Sequence, residues 1–364
     1  MRRKIVVRFL RVSSFPVVVR NIGIVLGNRL KARKRAGRPD RGALRIPESI
    51  YVYPTMQCNL RCVGCLSSKF EGGDMDREKL GGFLSAMIRR GVNTVTFLGG
   101  EPLLPSVQET VFSLAAVLRY VRFPLFTNGT IQDEATIARI KAARNVFVFV
   151  SIDGDPAAHD GRRGPGAYDK ATAFCKKLAE EKIPFAISCT VNAANRSCLV
   201  SETFSSLAKE LGAVFVLLLP YCPVGCSGDD ALMLKKSHLE EMHRAAAAIN
   251  RKADCVYVDA IRSELALKGC MAGLNRIAVM PTGDVLPCPG IHFSYANILR
   301  DPLETVLGHP FIRDLDTLKR QSKGCLVIGH LNELDALIRK YADVKATTDI
   351  TSGVIETGGI ASDD

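Results

Sequence analysis

Residues 94–130 read TVTFLGGEPLLPSVQETVFSLAAVLRYVRFPLFTNGT, and the fold is decided there. Thr94–Leu98 and Pro124–Phe126 are short runs of β-branched and aromatic residues, and residues 105–119 between them carry apolar side chains at helical spacing. Strand, helix and strand in that order make a βαβ unit, whose crossover is right-handed and whose strands lie parallel. The two strands end in polar, glycine-bearing turns, Gly99-Gly100-Glu101-Pro102 and Thr127-Asn128-Gly129-Thr130. Strand C-termini are where open parallel sheets and barrels carry their reactive groups.

The same alternation extends both ways. Further strand-like runs occupy Ile50–Tyr53, Val146–Ile152, Phe185–Val191 and Val214–Leu219, and helix-period segments occupy 76–90, 132–143, 167–182, 200–211 and 235–251. Six strands are too few for a closed eight-stranded barrel. The expected fold class is therefore α/β, a partial (β/α)6 TIM-like barrel over residues 46–251. After residue 252 the pattern shifts to short strands (Cys255–Val258, Ile277–Met280, Val285–Pro287) and small helices near 302–307, 310–320 and 331–341. A small α+β domain over 252–342 is expected there, followed by a disordered tail over 343–364.

The 364 residues suffice for one large domain of about 200–250 residues and a smaller one. The formal charge of +12 would point to nucleic acid or an anionic surface, but its distribution argues otherwise. Thirteen Lys/Arg and one Asp lie before residue 42, so the rest of the chain is neutral. Residues 1–45 form a basic amphipathic arm in which arginines alternate with apolar residues, a pattern that suits an anionic membrane surface. Nucleic acid is not expected, because the arm lacks interleaved aromatics and RNA-binding signatures. The arm is also too short for a peptide-recognition domain. Arg8, Arg11 and Arg20 interrupt the apolar stretch a signal peptide needs, and no run of about 18 apolar residues offers a membrane span. A cytoplasmic location, peripheral to the membrane, is the expectation. In a reducing compartment, twelve cysteines point to metal binding or chemistry before disulfides.

Directly after the first strand stands Cys58-Asn-Leu-Arg-Cys62-Val-Gly-Cys65. Three thiolates within eight residues can hold a cubane cluster and leave its fourth iron without a protein ligand. A zinc knuckle would pair two short Cys-x-x-Cys arms, and no second arm lies nearby. In this spacing, and in the ordered elements that follow, residues 48–330 resemble the radical SAM superfamily. The resemblance implies a 4Fe-4S cluster on Cys58, Cys62 and Cys65. S-adenosyl-L-methionine would chelate the open iron, a ferredoxin or flavodoxin would serve as reductant, and a 5′-deoxyadenosyl radical would be the product. It also implies that Gly99, Gly100, Glu101 and Pro102 receive the methionine ammonium and that Asn128 lies beside the ligand. Ser151 and Asp153, from Ser151-Ile-Asp-Gly154, would approach the sulfonium and ribose. Asn192 would reach the ribose, and Arg162-Arg163-Gly164 would face a carboxylate. In one respect the chain departs from the family. Many members place an aromatic residue just before the third cysteine, against adenine, and here that residue is Gly64.

Cys270, Pro281-Thr-Gly283 with Cys288, and Gly324-Cys325 resemble the SPASM and Twitch auxiliary-cluster extensions. Three aligned cysteines fit a shortened domain with a second 4Fe-4S cluster on Cys270, Cys288 and Cys325. Its fourth ligand is left open between His330, another cysteine and substrate. Cys222 and Cys226 lie on the active-site rim, where an incidental pair is the simpler reading. Cys175, Cys189, Cys198 and Cys255 read as core or surface thiols. The favoured function is hydrogen abstraction from a small molecule, lipid or cofactor precursor that the sequence does not identify. A peptide maturase is the alternative, and a non-catalytic electron carrier is a third reading.

Overall fold

In the computed structural model the described residues are 2–14, 17–18, 44, 46–67, 72–222, 230–252, 255–260, 270–273, 275–322 and 325–347. The chain opens with α1 (Arg2–Val12), β1 (Ser49–Val52), α2 (Arg77–Arg90), β2 (Thr94–Phe97), α3 (Pro105–Val117), β3 (Phe123–Thr127) and α4 (Glu134–Ala142). It continues with β4 (Val146–Ser151), α5 (Pro156–Arg163), α6 (Ala167–Glu180), β5 (Phe185–Val191), α7 (Arg196–Leu199), α8 (Glu202–Glu210) and β6 (Val216–Pro220). Local chemistry sets the helix boundaries. Asp76, Asp133, Asp155 and Ser201 each accept a backbone N–H at the first turn of α2, α4, α5 and α8. Gly91 closes α2 in the left-handed region.

Strands β1 to β6 are parallel neighbours in sequence order, as expected for a partial barrel. The sheet also extends past them on both sides. After α9 (Lys236–Lys252), β7 (Tyr257–Asp259) adds parallel to β6, and β8 (Arg276–Val279) adds parallel to β1. Among the described residues, eight parallel strands thus share one sheet, with the antiparallel β9 (Asp284–Leu286) beyond β8. Sequence reading assigns the segments of β7 and β8 to the second domain, because local pattern does not show which sheet a three- or four-residue strand joins.

The rest of the second half is β10 (Phe293–Ser294), β11 (Ala296–Asn297), α10 (Leu303–Gly308), α11 (Pro310–Gln321), α12 (Leu326–Gly329), α13 (Leu331–Ile338) and β12 (Lys345–Ala346). β12 pairs with β10, and Thr347 N donates to His292 O at 3.0 Å. The expected tail therefore includes a paired strand through residue 346, and residues 348–364 lie outside the described ones.

Alternation along the strands builds two faces. Leu125, Val148 and Val150 are fully buried beneath the helices. The other face carries Phe126 and Phe149, stacked at 4.4 Å, and continues through Phe215 (5.8 Å from Phe149) and Phe147. Phe9 of α1 ends this run 6.4 Å from Phe147. The Arg8 guanidinium donates to the Ala213 and Lys209 carbonyls, and Ser14 N donates to Lys182 O. These partners precede β5 and β6, so α1 lies across the N-terminal end of the strands, opposite the site. The start of the arm is a docked helix, and most of the remainder falls outside the described residues.

Candidate active site

A cavity of about 250 Å³ opens at the C-terminal ends of the strands. Its wall contains Cys58, Cys62, Cys65, Gly99, Gly100, Glu101, Asn128 and Ser151, together with Arg162, Arg163, Tyr53, Tyr221 and Cys222. Most of the residues singled out in the sequence therefore meet in one place. Pro102, Asp153 and Asn192 are buried beside it and do not line it.

The two glycines work at close range. A Cβ on Gly99 would lie 2.4 Å from Thr55 O, and one on Gly100 would lie 1.8 Å from Gln57 O. Gly99 also has φ +117°, which favours glycine. Gly100 N donates to Thr55 O and Glu101 N to Gln57 O, both at 2.9 Å. The resemblance implies that these glycines serve the ligand. Their contacts in the structure are to the backbone entering the cysteine loop, which is thereby seated on the end of β2.

The loop is held on two further sides. Asn128 Nδ2 donates to Asn59 Oδ1 at 2.9 Å, and Asn59 Nδ2 donates to Thr130 Oγ1 at 2.7 Å. Val63 N donates to Arg162 O at 2.8 Å. Burial pushes the Cys58 thiol up to about 11, against the Leu60 N–H that donates to its sulfur at 3.4 Å. Burial also raises Cys62, while the Arg163 and Arg162 guanidinium groups pull it back. Both thiols resist ionisation without metal and would give up their protons on coordinating iron, which binds the thiolate.

Glu101 is 1% exposed and accepts from Leu103 N (3.0 Å), Thr127 Oγ1 (2.7 Å) and Asn128 N (2.8 Å). Burial nevertheless raises its pKa to about 6. Asp153 is fully buried and accepts from Arg162 Nη1 (2.7 Å), Arg163 Nε (2.6 Å) and Thr190 N (2.8 Å). Burial alone would raise it, but Arg163 and Arg162 outweigh that and hold it well below the usual carboxylate range. Asp153 thus anchors the arginines that reach the cavity. Asn192 Oδ1 accepts from Ala194 N and Asn195 N at 2.9 Å, which occupies it in a local turn.

Local patterns did not single out Tyr221 or Tyr53. Gly64 has φ +63°, and a Cβ there would lie 2.5 Å from Tyr221 Cε2. The ring from the end of β6 thus covers the place beside Cys65 where an aromatic side chain is missing. Tyr53, 1% exposed, is raised by burial and then by Cys288, Tyr51 and Cys65. It lines the cavity together with the three cysteines of the loop.

The residues fit a cluster with S-adenosylmethionine on these observations. Three thiols share a cavity with a buried carboxylate that has no cation within salt-bridge reach among the described residues. Arg162 Nε is buried in the same wall without a hydrogen-bond partner, a donor suited to a carboxylate. Among the described residues, no three His, Cys, Asp or Glu side chains are gathered around a single metal ion. A cubane holds its thiolates farther apart than one ion does.

Residues 52–194 match the radical SAM superfamily. The chain is 31% identical over 284 residues to an AdoMet-dependent heme synthase of Methanosarcina barkeri, covering 69% of this chain and 79% of that one. It is 28% identical over 263 residues to the mycofactocin maturase MftC of Mycobacterium tuberculosis, covering 68% of this chain and 66% of that one. Among solved structures, Streptococcus suis SuiB bound to precursor peptide SuiA shares its fold, with a TM-score of 0.68 at 16% identity over 91% of this chain and 79% of that one.

Proposed function

The chain belongs to the radical SAM superfamily and is an enzyme of that class, and from this we propose that it abstracts hydrogen from a small cofactor precursor. The observation that carries the site assignment is the shared cavity of Cys58, Cys62, Cys65, Glu101 and Arg162. A 4Fe-4S cluster on the three cysteines, when reduced, supplies the electron that cleaves S-adenosylmethionine into methionine and a 5′-deoxyadenosyl radical. Glu101 receives the methionine ammonium, Arg162 the carboxylate, and Tyr221 offers its ring to the adenine. Ser151 and Asn128 add polar contacts, and Asp153 keeps both arginines in place. A second 4Fe-4S cluster on Cys270, Cys288 and Cys325 completes the assignment, with a small ferredoxin- or flavodoxin-type protein as electron donor.

The likeness to the heme synthase supports an iron-porphyrin precursor as the substrate class. The likeness to MftC supports the second reading, a peptide substrate. Iron-coproporphyrin III, added to the reconstituted enzyme under anaerobic conditions, is expected to shift its Soret band and to raise 5′-deoxyadenosine formation above the substrate-free rate. No shift and no rise would remove the porphyrin reading and turn the search to peptides.

We also propose that α1 meets an anionic membrane. Val6, Val7 and Leu10 are 55%, 41% and 48% exposed on a helix that also carries Arg3 and Arg11. Each Lys/Arg near such a surface contributes about 1 kcal/mol, screened by salt. The full chain should sediment with phosphatidylserine vesicles at low salt and be released as salt rises. Failure to sediment at low salt would leave α1 only its role against the barrel.

A further inference from the structure

The end of the barrel opposite the site carries a second cavity, of about 320 Å³, between α1 and the end of α8. Arg3, Lys4, Arg8, Arg11 and Lys209 line it with two valines of α1, and among the described residues no carboxylate does. Lys4, Arg8 and Arg11 stand at i, i+4 and i+7, and the first turn of α1 contains no acid. Like charges at that spacing destabilise a helix, and cations in the first turn oppose its dipole. Two of the five serve the docking of α1. Lys4 Nζ donates to Asn250 O at 2.9 Å, in the last turn of α9, and Arg8 Nη2 donates to Lys209 O at 3.2 Å, in the last turn of α8. Cations suit both places, because helix C-termini are negative. Arg3 and Arg11 are different. Both are exposed, and neither meets an acceptor among the described residues.

The docking of α1 therefore gathers five cations around one space, at an electrostatic cost that a bound anion removes. The planar fork of a guanidinium matches the paired oxygens of a phosphate, and a doubly charged group answers several cations at once. The volume lies near the lower end of the roughly 300–1,000 Å³ that small-molecule sites span, enough for a phosphate and a short attached group. We propose that this cavity binds a phosphomonoester, carried either by a lipid headgroup or by a small soluble compound. The membrane reading of α1 needs only diffuse charge and exposed apolar residues, whereas this site needs one defined group. The two can therefore fail separately.

The test uses the full reconstituted chain, freed of unbound iron, in anaerobic thermal unfolding at constant ionic strength. Replacing chloride by inorganic phosphate should raise the unfolding midpoint, with a rise that grows with the logarithm of phosphate concentration. Arg3→Gln together with Arg11→Gln should abolish that response. In chloride the double variant should unfold at or above the wild-type midpoint, because two repelling charges are gone. Phosphate should also slow acetylation of the Lys209 amine in the wild type, read by mass spectrometry, a result that needs no variant. Vesicles identify the carrier. Stronger binding to phosphatidic acid vesicles than to phosphatidylserine vesicles of matched surface potential, competed by phosphate, would assign the group to a lipid. Phosphate protection with equal binding to both vesicles would assign it to a soluble compound. No rise in phosphate would overturn the site, and so would an equal rise in the double variant, which is the general effect of an excluded salt. Equal binding to both vesicles would then leave the membrane reading standing alone.

Discussion

Glu101 and Asp153 follow strands two places apart on the same rim, are both buried, and both accept three hydrogen bonds. Their charges are treated in opposite ways. The donors to Glu101 are neutral, so desolvation prevails and its pKa rises to about 6. Two of the donors to Asp153 are guanidinium groups, which overcome its desolvation and hold it ionised. Asp153 has two guanidinium groups in contact, whereas Glu101 has no cation within salt-bridge reach among the described residues. That difference is what supports the proposed roles, Glu101 toward a cationic ligand and Asp153 as a support, although both stand in strand-end motifs of similar appearance.

The largest effect should come from breaking the support. Asp153→Asn leaves Arg162 and Arg163 buried with one neutral acceptor, and losing one partner of a buried ion pair costs about 3–5 kcal/mol. Urea denaturation of the empty protein should show that loss as a lower midpoint. A cost no larger than that of a surface substitution would mean the arginines find other partners.

Glu101→Gln should act on the ligand instead. The charge-assisted bond to an ammonium is worth about 1.5–3 kcal/mol, so S-adenosylmethionine should bind the variant roughly one to two orders of magnitude more weakly by calorimetry. The same contrast shows in the wild type as pH changes. Below about 6, Glu101 takes up a proton and loses its charge, so affinity at pH 5 should fall by about tenfold. Stability should move the other way. A raised folded pKa contributes stability that is fully present below the ordinary carboxyl value and is lost as pH rises through about 6. Asp153 contributes nothing in that window, because its depressed pKa matters only in stronger acid. Affinity that is flat from pH 7 to 5 would place the ammonium elsewhere.

The cysteine loop and the parallel strands were legible because both are local signals, three thiols within eight residues and a period of two against a period near four. What sequence pattern missed depends on returning chain. Arg162 and Arg163 come back through α5 to claim Asp153, and Tyr221 arrives from β6 to cover Gly64. Gly99 and Gly100 are required by the approach of Thr55 and Gln57, some forty residues earlier. The docking of the arm's helical start on the barrel is not legible in the sequence, because Phe9, the residue that ends the aromatic run, is one apolar residue among many there.

The most direct test of the whole account is cleavage of S-adenosylmethionine by the reconstituted, dithionite-reduced protein, read as 5′-deoxyadenosine by liquid chromatography. The wild type should produce it together with methionine. Cys58→Ala, Cys62→Ala and Cys65→Ala should each produce none, because two thiolates do not hold the cluster with one open iron. Cleavage that survives all three substitutions would contradict the assignment of this site.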